Sequence, residues 1–253
     1  MIQVKVDDSR LQRSLAELAI LTNKDVRDIL KQEARLFCVA LAKYTQPFGL
    51  DQTAKEKGET AVRRDIHKVY ATAGWVWNEV GKTSRNAAKA VMKCIRNKQY
   101  AEAEKILKRF GIAIPVGELD AAFHKERFVQ GKIKGRDKSQ IVADEKKLEA
   151  YILKKLKLVG FAKSGWASCA KVLGGTRGIP AWARKNQAPS IVVDRSAQRN
   201  DPHFILINAI DYTSRVLSQS GMQGATDERV FKLLERIDKA AQVSARRLNF
   251  LLR

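Results

Sequence analysis

From Val159 to Lys185 the chain concentrates Gly160, Gly165, Gly174, Gly175, Gly178 and Pro180 around Trp166 and Trp182. Lys163, Lys171, Arg177, Arg184 and Lys185 share the stretch, and no acidic residue does. Glycine and proline impose backbone geometries open to few other residues. Tryptophan supplies rigid contact area, and unpaired cations seek an anionic partner. A chain that gathers these residues together docks on something there. The stretch holds no set of nucleophile, base and acid, so it points to a binding or assembly protein with no catalytic residue. Trp166, Trp182, Arg184 and Lys185 are the residues expected at a subunit contact. Trp182 leads them, because Pro180 and Arg184-Lys185 put it on a polar connector.

Apolar spacing gives the rest of the fold. Ile2 to Val6 alternates, as a short half-buried strand does. Ser9 reads as a helix N-cap before Leu11, Leu15, Leu18 and Leu21, whose spacing puts them on one helical face. A second helix carries Val26, Ile29 or Leu30, Phe37 and Leu41 and ends before Pro47 and Gly49. Residues 49–58 read as a polar loop, and Glu59 to Thr72 as a helix. Ala73 to Trp77 fits strand or helix. Ser84 to Asn97 and Gln99 to Phe110 read as a helical hairpin, and Asp144 to Leu158 and Phe161 to Leu173 as further helices. Ser190 to Asp194 and His203 to Ile207 are β-rich runs around a polar turn, the signature of a hairpin. Asp211 to Ser218 is a helix, Gly221 to Gly224 a break, and Asp227 to Leu252 a long amphipathic helix. The expected fold is α+β and mainly helical. Long N- and C-terminal amphipathic helices pack on a small antiparallel sheet that includes the 190–207 hairpin. Residues 1–253 form one domain with a helical insertion at about 82–158.

The formal net charge of +21 predicts contact with polyanions. Lys125 to Lys163 alone holds twelve Lys/Arg and five Asp/Glu, a net of 12 − 5 = +7. Within it, residues 129–138 form a Gly-spaced basic arm, and Lys132, Lys134, Arg136 and Lys138 are the expected DNA-proximal residues. Such an arm adapts to a phosphate backbone and carries no rigid array for reading bases. Trp75, Trp77 and Tyr212 offer stacking surfaces but suit burial as well.

Cys38, Cys94 and Cys169 lie far apart and are odd in number, which argues against a disulfide framework and for a reducing compartment. The first residues carry no basic leader or apolar region of a signal peptide, and no run approaches the roughly 18 residues of a membrane helix. His67, His124 and His203 have no metal-ligand spacing, so no metal and no cofactor is expected. The Gly174-Gly175-Thr176-Arg177-Gly178 run does not match a phosphate-binding loop and reads as a helix end with a turn. Asp194, Asp201, His203 and Asp211 are the one grouping that a metal-dependent nuclease could use. Their positions equally suit turn and cap residues.

Several segments together resemble tail-completion (neck) and related minor tail proteins of lambdoid tailed bacteriophages. They are Val26-Arg27-Asp28-Ile29-Leu30 through Ala42-Lys43-Tyr44-Thr45, the turn Pro47-Phe48-Gly49-Leu50, Gly160 to Trp166, Ile179 to Trp182, and Ile207 to Tyr212. The resemblance covers about half of the chain, and residues from about Lys82 to Leu158 are longer and more helical than a compact neck protein needs. It implies an α+β subunit of a closed homo-oligomeric ring at the head–tail junction. The ring would join a head-completion (adaptor) protein to a tail terminator or tail tube protein, with packaged DNA touching it non-specifically and no membrane involved. Such a protein assembles in the cytoplasm of the host bacterium and ends in the virion. The alternatives are a stand-alone non-specific nucleic-acid-binding protein and a phage nuclease.

Overall fold

The computed structural model describes residues 2–5, 13, 16, 17, 20, 26–129, 138–184, 188–198 and 202–251. Of these, the side chains of 2–5, 127–129 and 244–251 are outside the description. In chain order the elements are β1 (Ile2–Lys5), α1 (Val26–Tyr44), α2 (Gln52–Val69), β2 (Tyr70–Ala71), α3 (Ala73–Gly81), α4 (Arg85–Arg96) and α5 (Tyr100–Lys108). There follow β3 (Val116–Gly117), α6 (Ala121–Val129), β4 (Gln140–Val142), α7 (Glu145–Leu156) and α8 (Phe161–Val172). A 3₁₀ turn at Ala181–Ala183 leads to β5 (Ser190–Arg195), β6 (His203–Asn208), α9 (Thr213–Val216) and α10 (Gln219–Leu251). The protein is mainly helical with small sheets. No helix among the described residues is long and apolar enough to cross a membrane.

The chain divides into two compact units, one made of Met1–Gly58 and Val159–Arg253, the other of Glu59–Leu158. The division falls within α2, about two dozen residues before the insertion boundary expected near Lys82. Helix α2 itself begins at Gln52 inside the stretch expected to be loop, because the Asp51 carboxylate accepts from the Ala54 amide at 2.8 Å and starts the first turn.

In the first unit β6 is the central strand, antiparallel to both β1 and β5, with Asn208 opposite Ile2 on one side and Ser190 on the other. Phe204, Leu206 and Asn208 alternate inward along β6. Helix α8 lies against β5 and β6 and against α1. Phe37, Leu41, Trp166, Ala170, Phe204 and Leu217 fill the space between them. Helix α10 packs on α1 through Ile29, Leu233 and Ile237. Beside that seam Arg229 and Arg236 both donate to the carboxylate of Glu33, the first at 2.6 Å.

Gly221 and Gly224, expected to break the chain between a helix ending at Ser218 and one beginning at Asp227, lie inside α10. A methyl group on Gly224 would meet the Tyr44 ring at 2.8 Å, and one on Gly221 would meet the Tyr44 carbonyl at 3.3 Å. These residues are glycine because α10 crosses the end of α1 closely there. The leucine-striped helix expected over residues 11–21 falls largely outside the described residues.

The second unit surrounds a three-stranded parallel sheet, β2–β4–β3, that the sequence does not announce. Two- and three-residue strands are too short to show alternation. Ala73 to Trp77, open between strand and helix, is the start of α3. Helices α4 and α5 form the expected hairpin and bury Ala88, Val91, Ile95, Ala103 and Leu107 between themselves and α3. A second cluster holds Ile66, Val69, Tyr70, Val142, Leu148 and Ile152.

Candidate functional site

The Gly- and Trp-rich stretch from Val159 is built around a buried cation. Helix α8 begins at Phe161 because Gly160 takes the left-handed backbone (φ 82°) that ends the preceding turn. Its first turn brings Lys163 inside, where the side chain is 0% exposed. The ammonium donates to three backbone carbonyls at the C-terminal end of α1 and the turn beyond, those of Ala42 at 2.6 Å, Thr45 at 2.5 Å and Gly49 at 3.0 Å. Three donors meet three acceptors, and the Ala42 and Thr45 carbonyls stand at the C-terminal end of α1, where the helix dipole is negative. The Trp182 ring lies 5.7 Å from the same nitrogen and closes the other side. Desolvation pushes the Lys163 pKa down to about 7. No face of the nitrogen is left open to a substrate, so the group caps a helix and does not act as a nucleophile.

The neighbouring residues fit the same node. Trp166 is 0% exposed and donates from Nε1 to the Thr45 hydroxyl at 3.2 Å, which in turn donates to the Leu41 carbonyl at 2.7 Å. Asn208, also fully buried, donates to the Ala162 carbonyl at 2.8 Å. Its Oδ1 accepts from the Ile210 amide and the Thr213 hydroxyl, each at 3.2 Å. A Cβ on Gly165 would stand 2.1 Å from that Oδ1, so only glycine lets α8 approach β6 here. Cys169 Sγ, one turn on, faces the Ile191 and Ile207 carbonyls at 3.9 and 3.7 Å. Burial pushes the Cys38 thiol up, as suits a small core hydrophobe.

The expected interface residues separate under this geometry. Trp166 is a correction: it lies wholly inside its own unit and has no surface to offer a second copy. Trp182 is partly buried, packs on the core, and holds its Nε1 buried without a hydrogen-bond partner. Arg184 is exposed and donates to the Thr176 hydroxyl at 3.1 Å. Lys185 lies outside the described residues, as do Lys132, Lys134 and Arg136 of the basic arm. Lys138 is described, and its ammonium donates to the His67 carbonyl.

Sequence reasoning missed a polar cluster in the second unit. His124, 3% exposed, bonds through Nδ1 to the Tyr151 hydroxyl at 2.9 Å and through Nε2 to the Asp65 carboxylate at 3.2 Å. Tyr70 packs on both rings and donates to the Asp120 carbonyl at 2.7 Å. Desolvation raises the Tyr151 pKa and pushes that of Tyr70 up to about 12. Both phenols stay protonated, so the cluster ties α2, α6 and α7 together without supplying an oxyanion nucleophile. The partners are 59 and 27 residues apart from His124, which leaves no local signal in the sequence.

The residues weighed for a nuclease occupy separate structural roles where they are described. The Asp194 carboxylate accepts from the Ser196 amide at 2.9 Å within its own turn. His203 is buried, Asp211 is exposed and Asp201 lies outside the described residues. Among the described residues no group of three or more His, Cys, Asp or Glu side chains is placed to hold a metal ion. No family model, curated protein or solved structure matches the chain.

Proposed function

We propose that this chain is a virion structural protein. In this reading it is a ring subunit at the head–tail junction of a tailed bacteriophage, joining head-completion proteins to the tail, with no enzymatic role. One observation carries the reading. The separate segments that resemble neck proteins converge on a single node in the first unit. Lys163 ties the Gly160–Trp166 stretch to the Ala42–Gly49 turn, Trp182 covers Lys163, and Asn208 ties the 207–212 segment to Ala162. Residues scattered from Ala42 to Asn208 thus act as one structural device, as parts of one inherited fold do. Long terminal amphipathic helices packed on the small sheet would form the wall of the ring.

A contact between copies has a candidate surface. On the outward side of α10, Phe231 (63% exposed) and Leu234 (49%) stand among exposed Asp227, Glu235 and Asp238. An apolar strip rimmed by acids, on a chain of net charge +21, suits the basic surface of a neighbouring copy. Negative-stain microscopy and light scattering of the purified full chain test the proposal. Closed rings of one diameter support it. A strict monomer at high micromolar concentration, alone and with candidate head-completion and tail proteins, defeats it. A monomer that binds duplex DNA would favour the stand-alone nucleic-acid-binding alternative, which the net charge also supports.

A further inference from the structure

Helix α4 contains no acidic residue and carries Arg85, Lys89, Lys93 and Arg96, all exposed. Their spacing of four, four and three residues sets them on one side of the helix. The opposite side is fixed by Ala88, Val91 and Ile95, buried against α3 and α5. The first turn is fixed by the Ser84 hydroxyl, which accepts from the Ala87 amide at 3.2 Å. The result is a rigid row of four cations along about 16 Å of helix.

Stability explains only part of this row: Lys93 and Arg96 suit the last turn of the helix, where the dipole favours cations. Arg85–Lys89 and Lys89–Lys93 are like-charge pairs one turn apart, each costing a few tenths of a kcal/mol. Arg85 also stands in the first turn, where the helix dipole favours acids and none is present. Three exposed lysines of the unit do meet acids: Lys82 meets Glu79, Lys105 meets Glu102, and Lys147 meets Glu118. None of Arg85, Lys89, Lys93 and Arg96 forms an ion pair among the described residues. The row also holds none of the large exposed apolar side chains, and a protein-docking surface has an apolar centre. A row of cations without acid or apolar neighbours fits a regularly spaced polyanion.

We propose that the outward face of α4, bearing Arg85, Lys89, Lys93 and Arg96, binds the phosphate backbone of duplex nucleic acid. The contact is independent of base sequence, because four cations along one helix face neutralise phosphates and present nothing to the base edges in the grooves. It differs from the 132–138 arm in being held rigidly on a packed hairpin. It also does not depend on ring formation.

The test is fluorescence anisotropy of the full chain with a mixed-sequence 30-base-pair duplex, titrated at several salt concentrations. The variant carries Arg85→Gln, Lys89→Gln, Lys93→Gln and Arg96→Gln together. A control carries Lys146→Gln, Lys147→Gln, Lys154→Gln and Lys155→Gln, an equal loss of charge on α7. The α4 variant should lower the slope of log K against log salt by roughly three to four units, and the control by clearly less. Its melting temperature should stay near wild type, because relieved repulsion offsets the lost dipole contacts of Lys93 and Arg96. An unchanged slope in a folded α4 variant overturns the proposal. An equal drop in both variants overturns it too, since net charge alone would then account for binding. Loss of assembly with DNA binding intact would make the row a protein contact and likewise defeat it. Light scattering on wild type reads the ring proposal separately, since a monomeric wild type would sink that proposal and leave the slope comparison standing.

Discussion

The ammonium of Lys163 lies 2.5 Å from the carbonyl oxygen of Thr45, 118 residues away in the chain, with both residues fully buried. This contact and its two companions give the open carbonyls after α1 their donors. Burying an unpaired cation would cost several kcal/mol, and three hydrogen bonds with an aromatic face are what make it tolerable. Replacing the side chain by an apolar one of similar length leaves buried carbonyls without partners. Lys163→Met should therefore destabilise the first unit by about 3 kcal/mol. Urea denaturation followed by tryptophan fluorescence measures it, and a loss under about 0.5 kcal/mol would mean that water replaces the ammonium.

The same residue makes stability depend on pH. Its pKa is about 7 when folded and near 10.5 when unfolded. Between those values the unfolded chain binds more protons than the folded one, so stability rises with pH across the window. Below pH 7 both states are protonated and the cost of burying the charge is present in full. Above it the folded amine is neutral and that cost fades. The difference in unfolding free energy, wild type minus Lys163→Met, should grow from pH 7 to 10 with a slope of at most about 1.4 kcal/mol per pH unit. A difference that fails to grow over that range would show that the three carbonyls hold the proton as strongly as burial expels it.

Gly165 and Asn208 form a second interlocked pair. Gly165→Ala puts a methyl group within 2.1 Å of the Asn208 Oδ1, and the clash must displace a side chain that satisfies Ala162, Ile210 and Thr213. The expected loss is about 3 kcal/mol. Asn208→Ala alone should also destabilise, but the double substitution should cost less than the two singles added, because the clash goes with the amide. Additive values within error would show that α8 moves away as a body.

How much of this was legible in the sequence follows from how local each cause is. The helices α1, α4, α5, α7 and α8 declare themselves by apolar spacing. The β5–β6 hairpin does so by two β-rich runs around a polar turn. The parallel sheet of the second unit does not, because its strands are too short and its pairings, such as Tyr70 with Gln140, are distant in sequence. Gly221 and Gly224 read as breakers because a sequence shows glycine's freedom but not the Tyr44 ring that demands it. Density of Gly, Trp and Lys after Val159 reads as a docking stretch. What the fold places there is an inward-pointing lysine, and no composition distinguishes that from a solvated one. The α4 row is legible as cations at helical spacing, but only the burial of Ala88, Val91 and Ile95 shows that this face is the outward one.

Glu33 accepts from both Arg229 and Arg236, and so joins α1 to α10 beside Leu233 and Ile237. With a side chain only 10% exposed, Glu33 offsets two cations that are themselves partly buried. Glu33→Ala should cost about 2–3 kcal/mol by leaving both guanidinium groups without their acid, while Glu33→Asp should cost less. Hydrogen exchange tests the location as well as the size. Amides of residues 225–240 should lose protection before those of β6, and uniform loss across the unit would contradict local release of α10.

Trp182 separates a core role from an interface role because its indole nitrogen is buried with no partner. Trp182→Phe removes that unsatisfied donor and keeps most of the ring over Gly160 and Lys163, so monomer stability should change by under about 1 kcal/mol. Trp182→Ala opens a cavity beside the Lys163 ammonium and removes its aromatic face, so it should cost about 3 kcal/mol. If the partly exposed ring also carries a contact between copies, Trp182→Phe should weaken assembly in light scattering while leaving the urea midpoint near wild type. If both variants assemble in proportion to their folded fraction, Trp182 serves the core alone, and a subunit contact must rest on other residues such as Phe231 and Leu234.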